Sequence, residues 1–97
     1  MIADEEARRI AGKMSVEERK VIAQCSPNQS WGYTLLAKRT GLGFYEVQMA
    51  GKSLQASNLA TVRAVRRGRE FAGSAIFLNE RGEHVRLAVE KMQADQS

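Results

Sequence analysis

Between Asn58 and Asn79 the chain changes its apolar period, and no other feature restricts the fold as tightly. Leu59 to Val65 alternates and is β-branched, Arg66-Arg67-Gly68-Arg69-Glu70 reads as a turn, and Phe71 to Leu78 is a second extended run. The rest of the chain carries apolar residues at helical spacing. An isolated two-stranded hairpin is marginally stable at best in water, so this one must lie against helices. The class is therefore α+β, and 97 residues give room for a single domain.

The helical segments have clear punctuation. Residues 3–13 place Ala3, Ala7, Ile10 and Met14 at helical spacing, a weak stripe that predicts an N-terminal helix or arm over residues 1–14. Ser15-Val-Glu-Glu18 is a capping box: Ser15 can accept from the amide three residues on, and Glu18 can reach back to the amide of Ser15. Val21, Ile22 and Cys25 form the inner face of the helix that follows, and Pro27 with Asn28 ends it. A second core helix runs from about Gly32 to Thr40, with Leu35, Leu36 and Ala37 on its buried side, and Gly41 closes it. The third runs from about Phe44 to Ala56 and buries Val47, Ala50 and Leu54, and Asn58 tolerates the left-handed conformation that ends many helices. After the hairpin, Asn79 caps a helix to about Gln93, with Val85, Ala88, Val89 and Met92 on one side. Residues 15–93 thus make the domain, three helices, a two-stranded hairpin and a closing helix, and residues 94–97 read as a polar tail.

Within that frame, the twenty residues from Tyr33 to Lys52 resemble the helix-turn-helix signature of bacterial DNA-binding proteins. Ala37 stands where the two helices cross and a larger side chain would push them apart. Gly41 stands in the turn, where positive φ costs least for glycine, and Val47 drops back into the core. Ala75-Ile-Phe-Leu-Asn-Glu-Arg-Gly-Glu83 resembles the end of a wing and the start of its closing helix in the MarR- and PadR-like winged-helix families. The resemblance covers about residues 15–92. It implies a winged helix-turn-helix, a three-helix core followed by a hairpin wing and a C-terminal helix. Gly43 stands where a Ser or Thr cap is commoner, and Gly51 lies inside the third helix at a cost of about 1 kcal/mol relative to alanine.

Charge is distributed to match. Net charge is only +4, yet residues 31–69 hold Lys38, Arg39, Lys52, Arg63, Arg66, Arg67 and Arg69 against Glu46 alone. Residues 1–30 balance to zero, and residues 70–97 are net acidic. Such a basic middle attracts a polyanion. The resemblance implies that the third helix enters the major groove of double-stranded DNA. With Val47, Ala50 and Leu54 inward, its outward side chains are Tyr45, Gln48, Met49, Lys52 and Gln55. Gln48 suits adenine, and Lys52 suits a guanine edge or a phosphate. Thr34, Lys38 and Arg39 would lie against the backbone, and Arg66, Arg67 and Arg69 would reach the flanking minor groove or its phosphates. The expected function is a duplex-DNA-binding transcription regulator. The alternative is a winged-helix adaptor whose third helix docks a protein partner.

Other residues restrict the reading further. A single cysteine excludes an internal disulfide framework and suits a reducing cytoplasm, where the chain is expected. Cys25 reads as small core filling rather than a redox sensor. His84 has no second His or Cys near it in the sequence, so no metal site is expected. Trp31 reads as a packing anchor, with base stacking as its alternative. No nucleophile pairs with a plausible base, so neither enzyme nor cofactor is expected. No apolar run approaches the roughly 20 residues that span a bilayer, and the acidic N-terminus does not read as a secretory signal. A homodimer is expected, because a chain this short builds a thin core; Val85, Val89 and Met92, or Ile2 and Ile10, would make the contact.

Overall fold

The computed structural model describes residues 3–25 and 31–96, without the side chains of Arg67, Glu70, Phe71, Ala72, Asp95 and Gln96. Pro27 and Asn28, expected to end a helix, and Ile2, expected at a dimer contact, lie outside the described residues. The elements are α1 (Asp4–Lys13), α2 (Val16–Gln24), β1 (Trp31–Gly32), α3 (Tyr33–Thr40), α4 (Phe44–Ala56), β2 (Ala60–Arg67), β3 (Glu70–Leu78) and α5 (Glu80–Gln96).

Local chemistry accounts for most boundaries. The capping box at the start of α2 is present, with the Glu18 amide donating to Ser15 Oγ at 3.1 Å. Asn58 closes α4 at φ 60°, and the Leu59 amide then donates to the Leu54 carbonyl at 2.9 Å. Asn79 caps α5 by accepting from the Gly82 amide at 2.7 Å, while its own side-chain amide donates to the Asn58 carbonyl at 2.8 Å. One side chain thus ties the end of α4 to the start of α5.

The core is shared by helices and sheet. Val21, Ile22, Leu36, Val47, Leu54, Leu59, Ile76, Val85 and Val89 are all fully enclosed. Each such side chain contributes roughly 1.5–3 kcal/mol of burial relative to exposure. Strands β2 and β3 form the antiparallel hairpin, and β1 adds a third strand on the far side of β3, with Trp31 opposite Ile76 and Gly32 opposite Ala75. The sequence shows only two strands, because a two-residue strand carries no period and its partner lies more than forty residues away.

Several expectations are corrected. Leu35 is 42% exposed, while Tyr33 and Leu36 face the core, since one residue on a helix turns the side chain by about 100°. The hairpin turn is narrower than the five residues expected: β2 runs to Arg67 and β3 begins at Glu70, leaving Gly68 and Arg69, with Gly68 at φ 64°. The register slips between Val65 and Arg66, so that Ala72 is extra on β3, beside Gly73 at φ 113°. Helix α5 continues through residues 94–96, expected as a tail, because nothing after Gln93 breaks a helix. The segment left open as helix or arm is the helix α1, which lies along α5 and buries Ala7 and Ala11. Val85 and Val89, assigned to a dimer contact, are fully buried within this chain, and Ile10 and Met92 pack against the same core. The core that α5 shares with α1, α2 and β3 encloses Val85 and Val89 and leaves Ile10 and Met92 half-buried. Among the described residues no helix is long and apolar enough to cross a membrane.

Two glycines test this packing. A Cβ on Gly82 would overlap the Leu59 carbonyl oxygen, whereas one on Gly12 in α1 meets nothing within 4 Å. Gly82→Ala is therefore expected to lower stability by about 1–3 kcal/mol, and Gly12→Ala to raise it by about 0.5–1 kcal/mol. Urea unfolding of both variants beside the wild type checks this. Unchanged stability in Gly82→Ala would contradict the close approach of α5 to Leu59.

Candidate nucleic-acid interface

Three residues join α3 to α4, and backbone chemistry sets the angle. Gly41 takes the left-handed conformation at φ 76° and donates to the Ala37 carbonyl at 3.0 Å. The Thr40 hydroxyl donates to Leu36 at 2.6 Å and accepts from the Leu42 amide at 3.3 Å, so both sides of the turn are held. Gly43 lacks a capping side chain, but Glu46 accepts from its amide at 3.1 Å. Gly51 now has a reason. A Cβ there would stand 3.0 Å from the Tyr33 hydroxyl and 3.1 Å from Ile76 Cδ1, so glycine lets α4 approach α3 and β3 closely. The Tyr33 and Phe44 rings meet edge to face at 5.8 Å across the same crossing.

The outer face of α4 then falls to the residues expected there. Tyr45 is 70% exposed, Met49 is 44% exposed, Lys52 is exposed and Gln48 is half-buried. Gln55 is also exposed, but its side-chain oxygen accepts from the Val62 amide at 2.7 Å, which fastens it to the edge strand β2. Thr34, Lys38 and Arg39 are exposed on α3, and Arg66 and Arg69 are exposed at the hairpin tip. The Arg67 side chain lies outside the described residues.

Electrostatics divides α4 lengthwise. On the flank facing α2, Tyr45 and Met49 line a groove with Glu17, Glu18 and Glu46. Lys52, three residues on from Met49, is exposed and does not line that groove. Among the described residues the ion pairs are Arg81–Glu6, Arg86–Glu83 and Arg86–Glu90. Among the described residues, Lys38, Arg39, Lys52, Arg63, Arg66 and Arg69 therefore have no carboxylate partner. Two cations lie on aromatic rings instead, Arg39 over Trp31 at 4.9 Å and Arg63 over Phe77 at 5.6 Å. Arg63 was counted in the basic middle but given no contact from sequence, although its alternation with the core-side Val62 marks it as outward-facing on the wing.

The remaining candidates separate. Among the described residues no group of three or more His, Cys, Asp or Glu could hold a metal ion. Cys25 is buried, its thiol donates to the Val21 carbonyl at 3.3 Å, and burial pushes its pKa up to about 12.

No family model matches the chain, and no curated protein matches its sequence. Solved structures match its shape. A MarR-family transcriptional regulator from Rhodococcus sp. RHA1 superposes with TM-score 0.70 at 16% identity, over 96% of this chain and 66% of that one. The transcriptional regulator BldR from Sulfolobus solfataricus gives 0.70 at 18% identity, over 95% and 66%. A MarR-family regulator from Silicibacter pomeroyi gives 0.69 at 20% identity, over 96% and 63%. The chain spans less than two thirds of the length of each. At these identities the likeness establishes the fold, a winged helix-turn-helix of MarR-like architecture, with α3 and α4 as its helix pair and β2–β3 as its wing.

The state of Cys25 can be checked directly. A raised folded pKa means that the neutral thiol favours the fold: its contribution is complete below about pH 9 and is lost as pH climbs towards 12. At pH 8 the native thiol is expected to stay unreacted with a disulfide reagent over minutes in which the urea-unfolded chain reacts fully. Equal rates would mean that Cys25 is accessible and ionisable in the fold.

Proposed function

We propose that this protein is a duplex-DNA-binding regulator, with α4 in the major groove and the wing arginines on the flanking backbone or minor groove. The observation that carries this reading is the row of exposed cations across α3, α4 and the hairpin, without carboxylate partners among the described residues, on a fold whose solved relatives are described as transcription regulators. Gln48 and Lys52 are the side chains proposed to meet base edges, with Lys52 also able to take a phosphate. Tyr45 and Met49 sit on the acidic flank, so in this reading they touch the groove wall rather than select a base. Gln55 braces the wing against α4 through Val62, which would couple the two contacting elements. Lys38, Arg39 and Thr34, with Arg66, Arg67 and Arg69, supply affinity rather than sequence preference.

A second reading is kept because of the groove formed by Tyr45, Met49, Glu17, Glu18 and Glu46. Its apolar floor and acidic rim suit a basic protein segment, as a docking adaptor would require. A homodimer is also proposed, now without Val85 and Val89; on α5 the large exposed apolar side chain is Leu87, at 43%. A monomer in sedimentation equilibrium at high protein concentration would remove it.

DNA binding is tested by fluorescence anisotropy of a labelled random duplex of about 30 base pairs, at about 50 and 200 mM salt. Wild type should bind in low salt and weaken steeply with salt. Arg66→Ala/Arg69→Ala should bind more weakly, with a logarithmic salt slope shallower by nearly two, since each phosphate contact contributes about 0.9. Absence of binding at low salt removes the DNA reading and leaves the adaptor.

A further inference from the structure

Trp31 and Arg39 make a contact that joins the two halves of the proposed interface. Arg39 stands in the last turn of α3, immediately before the turn into α4. Trp31 stands on β1, opposite Ile76 of β3, and so belongs to the sheet that extends into the wing. The guanidinium carbon lies 4.9 Å from the centre of the Trp31 ring. The indole N–H is buried and has no hydrogen-bond partner among the described residues, while the pairing of Trp31 with Ile76 fixes its backbone on the sheet. Arg39 itself is exposed.

A guanidinium held over an aromatic ring keeps its fork of N–H donors in its own plane, a geometry that matches the oxygens of a phosphate. Stacking also removes rotamer freedom before a ligand arrives, so less is lost on binding. Lys38, one residue earlier, offers a charge but no such fork.

We propose that Trp31 is a positioning residue. It holds Arg39 beside the α3–α4 turn so that the guanidinium edge takes a phosphate of the duplex backbone, at a spacing from the wing set by the pairing of β1 with β3. This rests on the DNA reading above.

The test is the same duplex titration at about 50 and 200 mM salt, with Trp31→Phe, Trp31→Ala, Arg39→Ala and the Trp31→Ala/Arg39→Ala double variant, each first shown to fold by thermal melting. Arg39→Ala should weaken binding and lower the salt slope by about 0.9, one phosphate. Trp31→Ala should weaken binding about two- to fivefold, the size of an exposed cation–π contact. Trp31→Phe keeps a ring face and should recover most of that loss. The double variant should bind no worse than Arg39→Ala. If Trp31→Ala does not fold, a cycle of Trp31→Phe with Arg39→Ala replaces it, and the Phe effect should vanish once Arg39 is gone. Losses that simply add, or Trp31→Ala with wild-type affinity and slope, would overturn the positioning role and leave the DNA reading intact. Wild type that does not bind at 50 mM salt would end both.

Discussion

The Leu59 carbonyl is the point from which the wing and the closing helix are both hung. It accepts from the Asn79 amide at 3.1 Å, and Gly82 approaches it so closely that no side chain fits between them. A hairpin cannot stand by itself. This one is clamped at its base, where the Asn79 side chain caps α5 and reaches the Asn58 carbonyl at the end of α4. The direction in which the hairpin projects therefore follows from how α4 ends and α5 begins.

From that clamp the rest is assembled by close approach. Gly51 brings α4 against Tyr33 and Ile76, and the Gly41 turn sets the crossing of α3 and α4. Gln55 then reaches from α4 to the edge of β2, and Arg39 from α3 to Trp31 on β1. In the proposed reading these two side-chain bridges hold the helix and wing contacts at a fixed separation. Rigid placement matters more than any single contact when many phosphates must be met at once. In the same reading, the carboxylates of Glu17, Glu18 and Glu46 would turn a polyanion away from the groove they line and towards Lys52.

Much of this was legible in the residues. The capping box at Ser15, the Asn79 cap, the left-handed Asn58 and the extent of α4 all rest on local chemistry, and a local pattern suffices to read them. The outward set on α4 also followed from its period, because Val47, Ala50 and Leu54 leave only one face for Tyr45, Lys52 and their neighbours. The burial of Leu35 was misread: α3 has only eight residues, too few for its stripe to separate adjacent positions. Val85 and Val89 were misassigned to a dimer contact because nothing in the period of α5 says that other elements of the chain enclose them.

The sequence by itself determined the class of fold, since a period of 3.6 yields to a period of two only once and returns, and it determined where the positive charge lies along the chain. Tertiary structure decided what those charges stand beside. The third strand and the need for glycine at positions 51 and 82 join residues far apart in the chain, and the Arg39–Trp31 contact and the Gln55–Val62 bond each link a helix to a strand of the sheet. Such contacts carry no local signal, because they exist only after the hairpin has closed onto the helices.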